Sequence, residues 1–150
     1  AVAAYNSDKG GDDDFIMLVI TEADGDLKYC MTSNPDTTAS YGTLSKVNTY
    51  KDDGSIDDLK SSKGIGLVYV NQTFMMVRVD SNHYLKSQVY DLAASKWYGD
   101  LPVDIHANDT TKSAEVAQSG SYPSIAMARH GAFLLYRGDT TSDDIYWAYA

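Results

Sequence analysis

The 150-residue chain predicts an all-β fold assembled from a repeated four-stranded antiparallel unit. Two observations carry that prediction. The apolar runs are short, rich in β-branched and aromatic residues and bounded by Asp, Gly, Ser and Thr clusters, with no sustained helical period. In addition, three similar segments led by Phe15, Phe74 and Phe133 recur at a spacing of 59 residues.

Each unit opens on a small apolar strand: Val2–Tyr5, Gly66–Val70 and Ser124–Arg129. The second strand is the most apolar, predicted over Phe15–Thr21, Phe74–Asp80 and Phe133–Tyr136. Polar turns such as Asp24-Gly25-Asp26 then lead to third strands over Leu27–Met31, Tyr84–Tyr90 and Ile145–Tyr149. A fourth strand is expected at Leu44–Asn48 and Leu101–Ile105, where Tyr41-Gly42-Thr43-Leu44 is echoed by Tyr98-Gly99-Asp100-Leu101. A third copy of that element would fall past Ala150. The chain therefore reads as one domain with units at about 1–60, 61–118 and 119–150, the last incomplete.

Four short antiparallel strands per repeat describe a blade of a β-propeller. A lean first strand suits the crowded centre, and an apolar second strand suits burial between blades. The alternative is a β-trefoil or another small β barrel or sandwich; a trefoil needs three complete repeats, which the spacing does not supply. Propellers close with about 4–8 blades. A partial propeller closing by oligomerisation is expected, with a symmetric dimer of about six blades preferred.

Composition narrows the function. Twelve Lys and Arg against 21 Asp and Glu give a net charge of −9, which disfavours nucleic acid and anionic membranes. No apolar run approaches the ~20 residues of a membrane-inserted helix. Cys30 is the single cysteine, so an internal disulfide and a multi-thiolate metal site are excluded, and its expected role is that of a small buried side chain. The start at Ala1 without Met or signal peptide reads as processing. Glycosylation triplets at Asn71-Gln72-Thr73 and Asn108-Asp109-Thr110 point the same way, and a secreted protein is expected.

The segment from Tyr122-Pro123-Ser124-Ile125-Ala126 through Phe133-Leu134-Leu135-Tyr136-Arg137-Gly138 to Asp144-Ile145-Tyr146-Trp147 resembles a blade of the sialidase-type (BNR-like) repeat propellers. The likeness is good over about 122–147 and weak elsewhere, and the S-x-D-x-G-x-T-W box has no copy. The resemblance implies a propeller lectin without catalytic apparatus, holding carbohydrate in pockets between blades.

The candidate ligand-binding residues are Arg137, Asp139, Tyr146 and Trp147, with Arg78, Asp80 and Trp97 in the equivalent blade. Arg78 and Arg137 share the 59-residue spacing, each with an Asp two residues on, and residues i and i+2 share one strand face. A forked guanidinium and a carboxylate suit vicinal sugar hydroxyls, and a Trp or Tyr gives a flat face for a pyranose. The alternative is a structural ion pair with core aromatics. Arg137-Gly138-Asp139 is read as a hairpin turn. Acidic runs at Asp8–Asp14, Asp24–Asp26 and Asp52–Asp58 lack the full calcium-loop pattern, and His83, His106 and His130 share no metal-ligand spacing. With no nucleophile elbow, P-loop or dinucleotide fingerprint, neither catalysis, a cofactor nor a metal is expected. The function read from the sequence is glycan or glycoprotein binding; a secreted interaction or inhibitor module is the alternative, and a hydrolase the third.

Overall fold

The structure, a computed structural model, describes residues 1–5, 15–32, 42–50, 55–105, 115–116, 122–128, 131–138 and 145–149. These residues are all-β and form several sheets, none closed into a barrel. Among them no helix is long and apolar enough to cross a membrane.

The first sheet is an antiparallel meander of β1 (Val2–Tyr5), β2 (Phe15–Thr21), β3 (Leu27–Thr32) and β4 (Ser45–Lys46). Then β5 (Asn48–Tyr50) and β6 (Ile56–Asp58) join the second sheet, whose own meander is β7 (Gly66–Val70), β8 (Thr73–Val79), β9 (Leu85–Asp91) and β10 (Lys96–Pro102). There β5 pairs parallel to β10, with Trp97 beside Thr49. A small pair of β11 (Asp104–Ile105) and β12 (Glu115–Val116) precedes the third sheet of β13 (Ser124–Ala128), β14 (Gly131–Arg137) and β15 (Ile145–Tyr149). Two sequence expectations are corrected. The strand expected at Leu44–Asn48 is broken at Val47, with β4 in the first sheet and β5 in the second. The strand expected at Leu101–Ile105 starts earlier, at Lys96, and a bulge between Gly99 and Leu101 shifts its pairing. The chain also forms β6 and β12, whose polar sequences carry no strand signal.

Period-2 alternation gives each sheet two faces, and the meanders stack through them. One face of the first sheet, here its front, sends Met17, Val19, Leu27 and Tyr29 onto the second sheet's back, which carries Leu67, Phe74, Met76, Tyr90 and Trp97. Tyr29, Tyr90 and Trp97 meet edge to face with centroids 5.2–5.8 Å apart. The front of the second sheet (Met75, Val77, Val79, Leu85) packs on the third sheet's back, made of Ile125, Ala132, Leu134, Tyr136 and Ala148. The first strands pack side by side, β7 lying against both β1 and β13. At Gly66 a Cβ would sit 2.8 Å from Ile125 Cγ2, so glycine permits that approach. The turn between β7 and β8 places Asn71 and Gln72 at φ 50° and 64°, the left-handed pair of a two-residue hairpin.

Candidate functional site

The sequence-derived residues do not converge. Trp97 is 1% exposed inside the aromatic cluster and offers no face to a ligand. Arg78, also buried, donates from Nη1 to the Lys60 carbonyl at 2.7 Å and from Nη2 to the Asp100 carboxylate, which Gln88 Nε2 reaches at 2.8 Å. It is the structural ion pair, tying the β10 bulge to the segment before β7. Asp80 Oδ1 accepts from the Asn82 and Tyr84 amides at 2.8 and 3.0 Å and so locks the β8–β9 turn.

Nor do Arg78 and Arg137 occupy one position. The β7–β8 hairpin closes at Val70 and Thr73, the β13–β14 hairpin at Ala128 and Gly131, a spacing one residue shorter than that of the phenylalanines. Counted from these closing pairs, Tyr136 matches Arg78 and Arg137 matches Val79. A one-residue slip moves a side chain to the opposite face. Arg78 therefore lies on its sheet's back, and Arg137 on its sheet's front. Tyr146 and Trp147, being adjacent in β15, also lie on opposite faces: Tyr146 stacks on Tyr136 at 5.7 Å, Trp147 on Phe133 at 5.6 Å. Of the six described residues among them, Arg137 and Trp147 alone share an exposed face. Asp139 lies outside the described residues, as do Asp8–Asp14, Asp52, Asp53, His106, His130 and the Asn108 triplet.

A cleft of about 450 Å³ opens instead where the first sheet's β2–β3 turn meets the segment leading into β7; Glu22, Asp24, Ser62, Lys63, Gly64 and Tyr122 are among its lining. Its floor is fixed by local hydrogen bonds. Glu22 N donates to Asp26 O at 2.8 Å, Gly25 takes φ 87°, and Ser61 N donates to Gly25 O at 2.9 Å. Buried Ser61 donates from Oγ to Val79 O and accepts from Val79 N, while Ser62 N donates to Val79 O at 2.8 Å. Over this floor lies Tyr122, 72% exposed, its ring directly against Gly64: a Cβ there would be 1.9 Å from Tyr122 Cδ1. Only glycine leaves room for the ring.

The electrostatics suit neutral hydroxyls better than a hard cation. Glu22, Asp24 and Asp26 bring carboxylate oxygens within 4.8 Å of one another. Lys28 Nζ pairs with Glu22 at 2.8 Å and Lys60 Nζ with Asp26 at 2.6 Å, so ammonium groups already answer two of the three. Hydrogen bonding from Lys60, with Lys46 and Lys28 near, holds the Asp26 carboxyl below its ordinary value, and Asp26 in turn raises Lys60. A second cleft of about 710 Å³ lies by Tyr69, Gln72 and Tyr98; there Asp91 Oδ1 is engaged by the Ala93 and Ala94 amides.

Cys30 is buried, and burial pushes its thiol up, as suits an inert side chain. Sequence reasoning gave Tyr122 no role because its partner Gly64 is distant in the chain. No family model, no curated protein and no solved structure matches this chain.

Proposed function

We propose that this is a secreted carbohydrate-binding protein, a lectin of β-propeller type, recognising glycans or glycoproteins without catalysis, cofactor or metal. The observation that carries the reading is the exposed Tyr122 ring laid on Gly64 at the rim of a cleft lined with carboxylates and hydroxyls. The ring gives the C–H face of a pyranose a platform. Glu22 and Asp24 are acceptors for vicinal hydroxyls and Lys63 is a donor, while Ser62 Oγ, which donates its own proton to the Asp80 carbonyl at 2.7 Å, is a further acceptor. Because the cleft is acidic in a chain of net charge −9, neutral or amino sugars fit and sialylated or sulfated ones are repelled.

The propeller half of the reading is supported by the three meanders, by their front-to-back stacking and by the side-by-side first strands. The cleft then lies between neighbouring blades. The test is a glycan array with wild-type protein and Tyr122→Ala. Binding of neutral glycans by the wild type, lost in a variant that melts at the same temperature, is expected. A folded wild type that is silent across the array refutes the lectin.

A further inference from the structure

The stack ends in two unlike faces, and each matches a surface that is already covered twice within the chain. Leu27, Leu85 and Ile145 each open the third strand of their sheet, paired to Thr21, Val79 and Arg137. Leu27 and Leu85 are 1% and 0% exposed because the next sheet lies on them; Ile145 is 76% exposed. The same contrast separates Val19 and Val77 (0% and 1%) from Leu135 (43%), with Trp147 beside it at 64%. At the other end, Ile16, Leu18 and Ile20 form the first sheet's back and are half-buried, whereas Phe74 and Met76 on the second sheet's back and Leu134 on the third's are covered.

We infer that the front of the third sheet seats on the back of the first sheet of a second copy, and the reverse, so that two chains close one ring of six sheets. The occupant follows from the complementarity. Among the described residues every copy offers one open front and one open back, the pair of surfaces that mates at both sheet junctions inside the chain. With three sheets per copy, two copies fall within the ~4–8 blades of closed rings and three do not. A two-fold axis makes both junctions identical and leaves neither face open, whereas a non-closing repeat of the same contact gives a filament. Leu135, Ile145 and Trp147 of one copy then meet Ile16, Leu18 and Ile20 of the other. The inference rests on the sheet stacking of the proposed propeller and not on its sugar binding.

The experiment is sedimentation velocity of the full chain in glycan-free buffer, so its outcome is independent of the array. Roughly twice the 16.4 kDa chain mass is expected. Ile145→Asp on the front and Ile20→Asp on the back should each weaken self-association at least 100-fold while keeping the wild-type circular dichroism spectrum. Mixed together, they should re-form a dimer through the one junction both variants leave intact. Should Ile20→Asp unfold, Val2→Asp substitutes, since Val2 lies on the same back face and is 63% exposed. A monomeric wild type, an assembly larger than two, or a folded back-face variant that still dimerises as wild type would each overturn the inference; the last would mean front-to-front contact.

Discussion

Replacing Arg78 with Met separates a ligand-binding arginine from a structural one. The substitution keeps an unbranched apolar stem and removes two charge-assisted hydrogen bonds, to the Lys60 carbonyl and to the Asp100 carboxylate. Breaking a fully buried ion pair costs about 3–5 kcal/mol, chiefly because the remaining charge is stranded. Arg78 is buried, but Asp100 is 36% exposed, so water recovers part of the loss and about 3 kcal/mol is expected. For a chain of this length that corresponds to a melting-temperature drop of about 6–12 °C. Thermal and urea unfolding followed by circular dichroism measure it. Adding Asp100→Asn in the Arg78→Met background removes the stranded charge, and the two changes should couple by about 1–2 kcal/mol. Glycan binding should be unchanged in the folded single variant. Stability within about 0.5 kcal/mol of wild type, together with lost binding, would refute the reasoning.

Gly64→Ala places its Cβ where the Tyr122 ring lies; the exposed ring swings out, so glycan titration should show at least a tenfold weaker affinity while the melting temperature scarcely moves. Gly66→Ala does the opposite: its Cβ meets Ile125 Cγ2 at 2.8 Å between two packed sheets, and chemical denaturation should show a loss of about 1–3 kcal/mol. Asp26 predicts a pH window. Its lowered pKa means stability present above the ordinary 3.8 and lost as pH falls through the lowered value, while Lys60, raised by its hydrogen bond to Asp26, loses its share as pH rises above 10.5 through the raised value. Melts of wild type against Asp26→Asn should therefore differ between those limits and converge at both ends.

The strands were largely legible because burial on alternating faces writes itself into short apolar runs. Val2–Tyr5, Phe15–Thr21, Gly66–Val70 and Ile145–Tyr149 need no adjustment. The pairing of β5 with β10 was not legible: nothing local in Asn48–Tyr50 distinguishes a partner about a third of the chain away from β4, its near neighbour. The site failed for a sharper reason. Aligning the repeats on identical phenylalanines matched Arg78 with Arg137, but hairpin closure sets register, and a single residue of slip exchanges the two faces of a strand. Side-chain identity also cannot tell Trp97, sealed against Tyr29 and Tyr90, from Trp147, most of whose surface faces solvent. The Tyr122–Gly64 contact joins residues on separate elements, and only the folded chain brings them together.

The parallel insertion of β5 beside β10 bears on how the molecule comes apart. Thr49 Oγ1 donates to Gly99 O at 2.7 Å, and Leu27, Val47 and Leu59 bond one another in a closed backbone triangle. The segment that finishes the first sheet thus also edges the second, and neither can open without breaking backbone pairing in the other. Among the described residues no strand pairing ties the third sheet to them; it is held by side-chain packing against β7 and β8. Stability in such a chain is not a sum over equal stacked units. The first two sheets should therefore exchange as one cooperative block, and hydrogen exchange should show the third as a separate unit whose amides open at lower free energy.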